Sequence, residues 1–542
     1  MKAQIAALVL GSFVAASAVH GQQPAAGGQA PAELTRLAQE FRQARRAFTE
    51  AGDFSARAIE GQKTQLAEFR ARLLKLPQAR WPIADRVDWY VLQSELNQLD
   101  FDQRIRRPTS RDPGFYVQQA VAGMPADGDA LSAEGAAAVA ARLKKVPALL
   151  EQARRNLTEA SPTHAQFALR AIETVRGVRI QQSSLGEFQS LAKAAGGRYP
   201  DVAAAADAAA KAMTQYAAWI RTSLPKTTAP GHVGLDNFNW YLRNVLMMPY
   251  TADQLLVLGE RDLTRSVANL AYAENQNRNL PPLLPAATPE EYQRRVEETD
   301  RLVRRWLKEG NILTVPDDTP PTSATVPWKE GGKAGQATPT HYWQDIQFRD
   351  PVPDHLHAGI PGHKYDGIMM RRHPRPVRAG HSDRGRSEGW GFYLEEMALR
   401  SGLLDNRPRS RELIENFQLF RYVRMILDVK MSAGEMTPEQ AVAFEKEWVP
   451  MMEDQVAWSE ASGYYTSPGG GTVYTAGKYQ IEGMVARLRR QRGAKFDLRA
   501  FHDAFMAAGP IPMVLIEWEL TGDDTQLKRV IGPPTGTSKS EN

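Results

Sequence analysis

The sequence predicts a mainly α protein, a large helical body that carries a small β element beside a histidine-rich site. Three observations lead there. Apolar residues recur at steps of three and four from Leu34 through Leu37, Phe41, Ala44 and Phe48, the spacing that gives a helix one buried face. Alanine-rich runs at 134–158 and 202–220 add helix propensity. Pro353 and Pro361 stand on either side of 354–358 and argue against one continuous helix through it. If that segment is extended, His355 and His357 point the same way, because side chains alternate along a strand.

Length and composition set the class. With 542 residues, 42% of them apolar and 24% charged, the chain has the make-up of an ordinary globular protein of two domains or one large helical body. A formal charge of +5 is small for this size and argues neither for nor against nucleic acid; no nucleic-acid partner is expected. No stretch after the N-terminus has 18 consecutive apolar residues, so no stable membrane insertion is expected either. Zero cysteines exclude disulfides, a thiol nucleophile, a thiolate metal site and a cysteine-borne lipid. Any metal must be held by His, Asp and Glu.

In chain order, residues 1–21 read as a secretory signal peptide: Lys2, an apolar run from Ile5 to Val19, then Val19-His20-Gly21 with short side chains where a signal peptidase reads. An exported protein, periplasmic or secreted, is expected. Residues 22–32 lack an apolar period and read as a flexible tether. A helical N-terminal region follows over 33–280. Within it, 234–242 alternates aromatic and polar residues closely enough to line a cleft, although core aromatics explain it as well. Pro281, Pro282 and Pro285 mark a soft boundary. Beyond it lies a C-terminal region, 281–521, with a charged helix from Pro289 to Glu309. Loop or short edge strands come next at 313–340, where Pro316, Pro320, Pro321 and Pro327 fall. Helices are expected again at 390–402, 409–432, 437–452 and 477–492. The polar tail 522–542 reads as disordered.

The chemistry concentrates in one place. Five of the ten histidines (His355, His357, His363, His373 and His381) fall within 27 residues, and neutral imidazole with carboxylate suits zinc. The spacing does not match HExxH, whose i, i+4 pair chelates zinc beside a basic Glu. The step from His357 to His363 is six residues and needs a bend to bring both to one side. Glu388 is the natural third ligand, since sites without cysteine commonly join two His to a distant carboxylate. The linker 371–386 carries six arginines, among them Arg371 and Arg372, whose forked donors suit a substrate carboxylate.

Two other patterns fail on context. Gly385-Arg386-Ser387-Glu388-Gly389 fits GxSxG, but a nucleophile elbow needs an apolar strand before it. Ser387 as a serine nucleophile therefore stays a weak alternative. Gly469-Gly470-Gly471 before Gly477-Lys478 lacks the first glycine and the final Ser or Thr of a phosphate loop.

Four segments together carry a family resemblance: His357-Ala358-Gly359-Ile360-Pro361-Gly362-His363, Glu388-Gly389-Trp390-Gly391-Phe392-Tyr393-Leu394-Glu395, Arg421-Tyr422-Val423-Arg424 leading to Asp428, and Pro468-Gly469-Gly470 with Phe501-His502-Asp503. The chain resembles the bacterial family called domain of unknown function 885, usually grouped with zinc metallopeptidase-like proteins. The resemblance implies zinc held by His357, His363 and Glu388, with a peptide or small amide as substrate and Tyr393 and Arg424 on the substrate side. Where the family pattern has Glu beside the first His, this chain has Ala358. Ser432 stands for a family His, and Asp366 and Gly470 for two Gln. A general base would then have to be Asp366, Glu395 or Glu396, or be missing. The leading expectation is a zinc-dependent hydrolase of peptide or amide bonds, catalytically impaired at Ala358. The alternative is a non-catalytic protein that binds peptide-like or anionic ligands through the arginine linker.

Overall fold

A computed structural model describes residues 31–124, 131–174, 183–224, 228–324 and 342–532. The signal peptide, nearly all of the tether, much of 313–340 and the last ten residues lie outside them. Among the described residues the chain is helical throughout, and no helix is long and apolar enough to cross a membrane.

Local chemistry explains the helix starts. Ser55, Ser132, Ser161, Ser183, Thr251, Thr288 and Thr437 each cap a helix by accepting a backbone N–H with the side chain. Thr251 and Thr437 add a reciprocal bond, each donating its own backbone N–H to the side-chain oxygen of Gln254 or Gln440. The alanine-rich helices Ala133–Leu143 and Pro200–Ser223 pack into a core of their own with Phe54, Tyr116, Phe188 and Tyr216. The segment 234–242 belongs to the helix Leu235–Asn244, where Phe238 and Leu242 are buried and Trp240 stacks on Phe101. Phe238 and Trp240 therefore serve the core, whereas Tyr241 also lines a cavity with Arg42 and Arg384.

A second core crosses residue 280. Leu34, Phe41, Val91 and Leu96 pack in one cluster with Val303, Leu356, Trp390, Ile481 and Leu515. Ion pairs fasten the same junction: Arg375 bonds Asp85 and Asp88, and Arg378 bonds Asp88 at 2.7 Å and Glu519 at 2.6 Å. Asp88 and Arg378 are buried, so each charge needs its partner.

The β element expected near the histidines is not among the described residues. Val352–Ala358 is a short helix, and His363–Arg371 a second one. Pro353 lies in the first turn, where a missing N–H leaves no intrahelical bond unmade. The break falls at 359–362, a turn that contains the cis Ile360–Pro361 peptide. The polar tail also differs from expectation at 525–531, because Thr525–Ile531 is a helix that buries Leu527 and Val530.

At the centre, Pro408–Ala433 is buried on nearly every face. Beside it Arg384–Arg400 crosses Thr472–Arg492 in backbone contact: a Cβ on Gly389 would stand 2.5 Å from Gly477 Cα. Only a pair of glycines allows that approach.

Candidate functional site

Three short pieces of backbone supply the site. His357 ends the helix Val352–Ala358, His363 opens the next helix after the 359–362 turn, and Glu388 lies in the first turns of Arg384–Arg400. The turn provides the bend that a six-residue step requires. Both imidazoles aim Nε2 at one carboxylate oxygen: His357 Nε2 is 3.0 Å and His363 Nε2 3.1 Å from Glu388 Oε2. The two rings stand nearly perpendicular, 85° apart with centroids at 4.6 Å. One donor atom from each of the three residues lies within 4.8 Å of the others.

The opposite nitrogen of each ring has its own neighbour. Glu395 Oε1 is 2.7 Å from His357 Nδ1, and Ser387 Oγ is 3.0 Å from His363 Nδ1. Glu395 is itself held by Arg421 Nη2 at 2.9 Å. Arg421 lies among Phe417, Phe420 and Tyr474, with its guanidinium 5.1–5.8 Å from their ring centres. Gly391 makes room for this arrangement, since a Cβ there would come within 2.5 Å of His357 Nδ1.

The electrostatics follow from these contacts. Burial and Arg421 disfavour a charged His357, but Glu388 and Glu395 outweigh them and raise its pKa. Burial also opposes the charge on Glu388, and the two histidines overcome it and hold its pKa well below the usual carboxylate range. Glu395 is lowered too, by Arg421 and His357 against its burial.

This donor set fits a zinc ion. Bonds of about 2.0–2.1 Å in a tetrahedral site put neighbouring ligand atoms roughly 3.3 Å apart, close to the two nitrogen–oxygen separations seen. Nδ1 neighbours that fix the ring orientation are the usual support of a metal-bound histidine.

The remaining expected residues are elsewhere engaged. His355 faces Asp300 at 3.4 Å, because two residues along a helix turn a side chain by some 200°, unlike the same-side placement of a strand. His373 meets the Ala507 carbonyl and His381 meets Glu95. Asp366 pairs with buried Arg386, and Glu396 with Lys478 and Arg400. Arg372 bonds Asp318 on the surface, and Arg371 is exposed. The Tyr393 hydroxyl lies 3.0 Å from His502 Nε2 in the core. Arg424 pairs with Glu460 at 2.6 Å and also lies 4.6 Å over the ring of Tyr474, beside the site. Of the proposed bases, Glu395 alone touches the site, behind His357 and fully buried.

Two residues at the site, Arg421 and Tyr474, were given no role from the sequence. Arg421 and Arg424 are three apart on one helix face, so spacing could not say which of them reaches the site. Tyr474 stacks on His357 with centroids 5.9 Å apart and stays half-buried, and no local pattern marks it.

The fold has known counterparts. A candidate lipoprotein of unknown function from Shewanella oneidensis superposes with a TM-score of 0.69 at 17% identity, covering 90% of this chain and 99% of its own. A candidate lipoprotein from Colwellia psychrerythraea gives 0.65 at 14% identity, covering 91% and 98%. At these identities the likeness extends to the fold alone. No curated protein sequence matches the chain significantly. The sequence pattern of the bacterial proteins of unknown function grouped as DUF885 matches residues 42–520, and the chain belongs to that family.

Proposed function

We propose that the chain is an exported zinc-dependent hydrolase of peptide or amide bonds, with His357, His363 and Glu388 as ligands and Ala358 in the place of the usual base. One observation carries the reading: two imidazole Nε2 atoms and a carboxylate converge while Glu395 and Ser387 stand against both Nδ1 atoms. A zinc ion bound there supplies the Lewis acidity that such hydrolysis needs.

The chain's own residues divide the remaining work. Arg421 fixes Glu395, and Glu395 fixes the tautomer and rotation of His357. Tyr474 offers a half-buried phenol beside His357 as a donor to a substrate carbonyl. Base catalysis is the weak part. Asp366 and Glu396 are held in ion pairs, Glu395 faces away from the open side, and Ala358 has no proton acceptor. Slow turnover, or ligand binding without turnover, is the consequence.

Ser387 supports a second reading. Its Oγ, His363 and Glu388 form a Ser–His–Glu series of contacts at 3.0 and 3.1 Å. However, Ser387 is the fourth residue of a helix capped by Asp383 and not an exposed elbow.

The decisive experiment measures zinc in purified mature protein by mass spectrometry, beside His357→Ala and Ala358→Glu. The expected result is one zinc per chain, lost in His357→Ala, and chelator-sensitive peptide cleavage that rises in Ala358→Glu. A folded protein without stoichiometric metal, indifferent to His357→Ala, would overturn the proposal.

A further inference from the structure

The arginine linker leads to a second site. Arg372, Arg375, Arg378 and Arg386 are each paired with a carboxylate. Arg384 is not. It lines a cavity of about 260 Å³ together with Arg42, Arg45 and His381, at the N-terminal end of the helix that bears Glu388.

The acids of this cavity are already engaged. Glu95 is gripped by Arg42 at 2.6 and 3.0 Å and meets His381 Nδ1 at 2.7 Å. Asp383 caps the helix by accepting the Arg386 N–H at 2.6 Å. Neither faces Arg45 or Arg384 as an ion-pair partner. Among the described residues the Arg45 guanidinium has the Phe41 ring at 5.8 Å, and Arg384 has a long 3.5 Å contact with Ser467 Oγ. His381 Nε2 is buried on the same wall without a partner. Two guanidinium groups without a carboxylate partner on one concave surface give it a positive potential that an anion would offset.

We propose that this cavity binds a small oxyanion, a carboxylate or a phosphate, between Arg45 and Arg384. The planar fork of arginine matches both groups with two parallel hydrogen bonds. Nothing in this site requires the metal centre, so it stands or falls separately.

Calorimetric titration of the full chain, dialysed free of metal and at low ionic strength, tests it with inorganic phosphate in one arm and succinate in the other. Saturable binding of at least one anion at one site per chain is expected, and the arm that responds tells phosphate from carboxylate. The double variant Arg45→Gln/Arg384→Gln should weaken it at least tenfold, while Arg46→Gln, an exposed arginine that does not line the cavity, should leave it unchanged. Arg45→Gln alone, on the surface of the Ala32–Ala51 helix, carries the test if the double variant loses helical circular dichroism. Absence of saturable binding in both arms, or equal loss in Arg46→Gln, overturns the proposal.

Discussion

Glu395 stands 2.7 Å behind the Nδ1 of His357, on the side of the ring away from Glu388. The carboxylate is fully buried, and Arg421 balances its charge. A rigid acid that can reach only one ring nitrogen sets which nitrogen faces the open side. It therefore reaches the site only through His357.

If the proposed zinc site is correct, Glu395→Gln should weaken metal binding without removing a ligand. Zinc affinity, measured by competition with a chromophoric chelator, is expected to fall roughly 10- to 100-fold, the usual cost of losing such a support. An unchanged affinity in folded protein would show that Glu395 plays no part in holding the ring.

Ser387→Ala separates the two readings of its hydroxyl. If Ser387 only orients His363, the variant keeps its zinc with a modest loss of affinity, and a fluorophosphonate probe labels neither protein. Labelling of the native chain that the variant abolishes would instead establish a serine nucleophile.

Gly389→Ala tests the helix crossing. A methyl group 2.5 Å from Gly477 Cα forces two backbones apart, and overpacking of this kind costs about 1–3 kcal/mol. The urea midpoint should drop accordingly, whereas Gly463→Ala, which meets nothing within 4 Å, should not lower it.

His502 gives a pH dependence with a definite sign. Burial lowers its pKa from 6.5 to about 4, and the Ile312 carbonyl at Nδ1 only partly offsets this. The unfolded chain gains a proton near pH 6.5 that the native chain refuses until about pH 4. Stability from this group is therefore full above pH 6.5 and is lost as pH falls toward 4, by about 3 kcal/mol at most. Urea unfolding at pH 4.5 and 7 should show a smaller difference for His502→Gln than for the native protein. Equal differences would remove His502 as the cause.

Part of the site was legible because ligand chemistry is local in residue type. His357, His363 and Glu388 were visible as a cysteine-free donor set. Proline was the misleading signal: Pro353 argued against a helix, yet it sits in the first turn where it costs no hydrogen bond. The linker arginines looked like a ligand surface because their partners Asp85, Asp88 and Glu519 lie far away in sequence. Spacing carries no information about such pairs.

The sequence by itself determined the helical class, since periodicity and propensity act within a few turns of chain. It also restricted the candidate metal donors to His, Asp and Glu, while Ala358 stands out only through the family resemblance. Only the tertiary structure decided which histidines converge, that Glu395 supports rather than faces the site, and that Arg384 joins Arg45 across a cavity. Those outcomes depend on where helices cross, as at Gly389 and Gly477, and on the pairing that each buried charge requires.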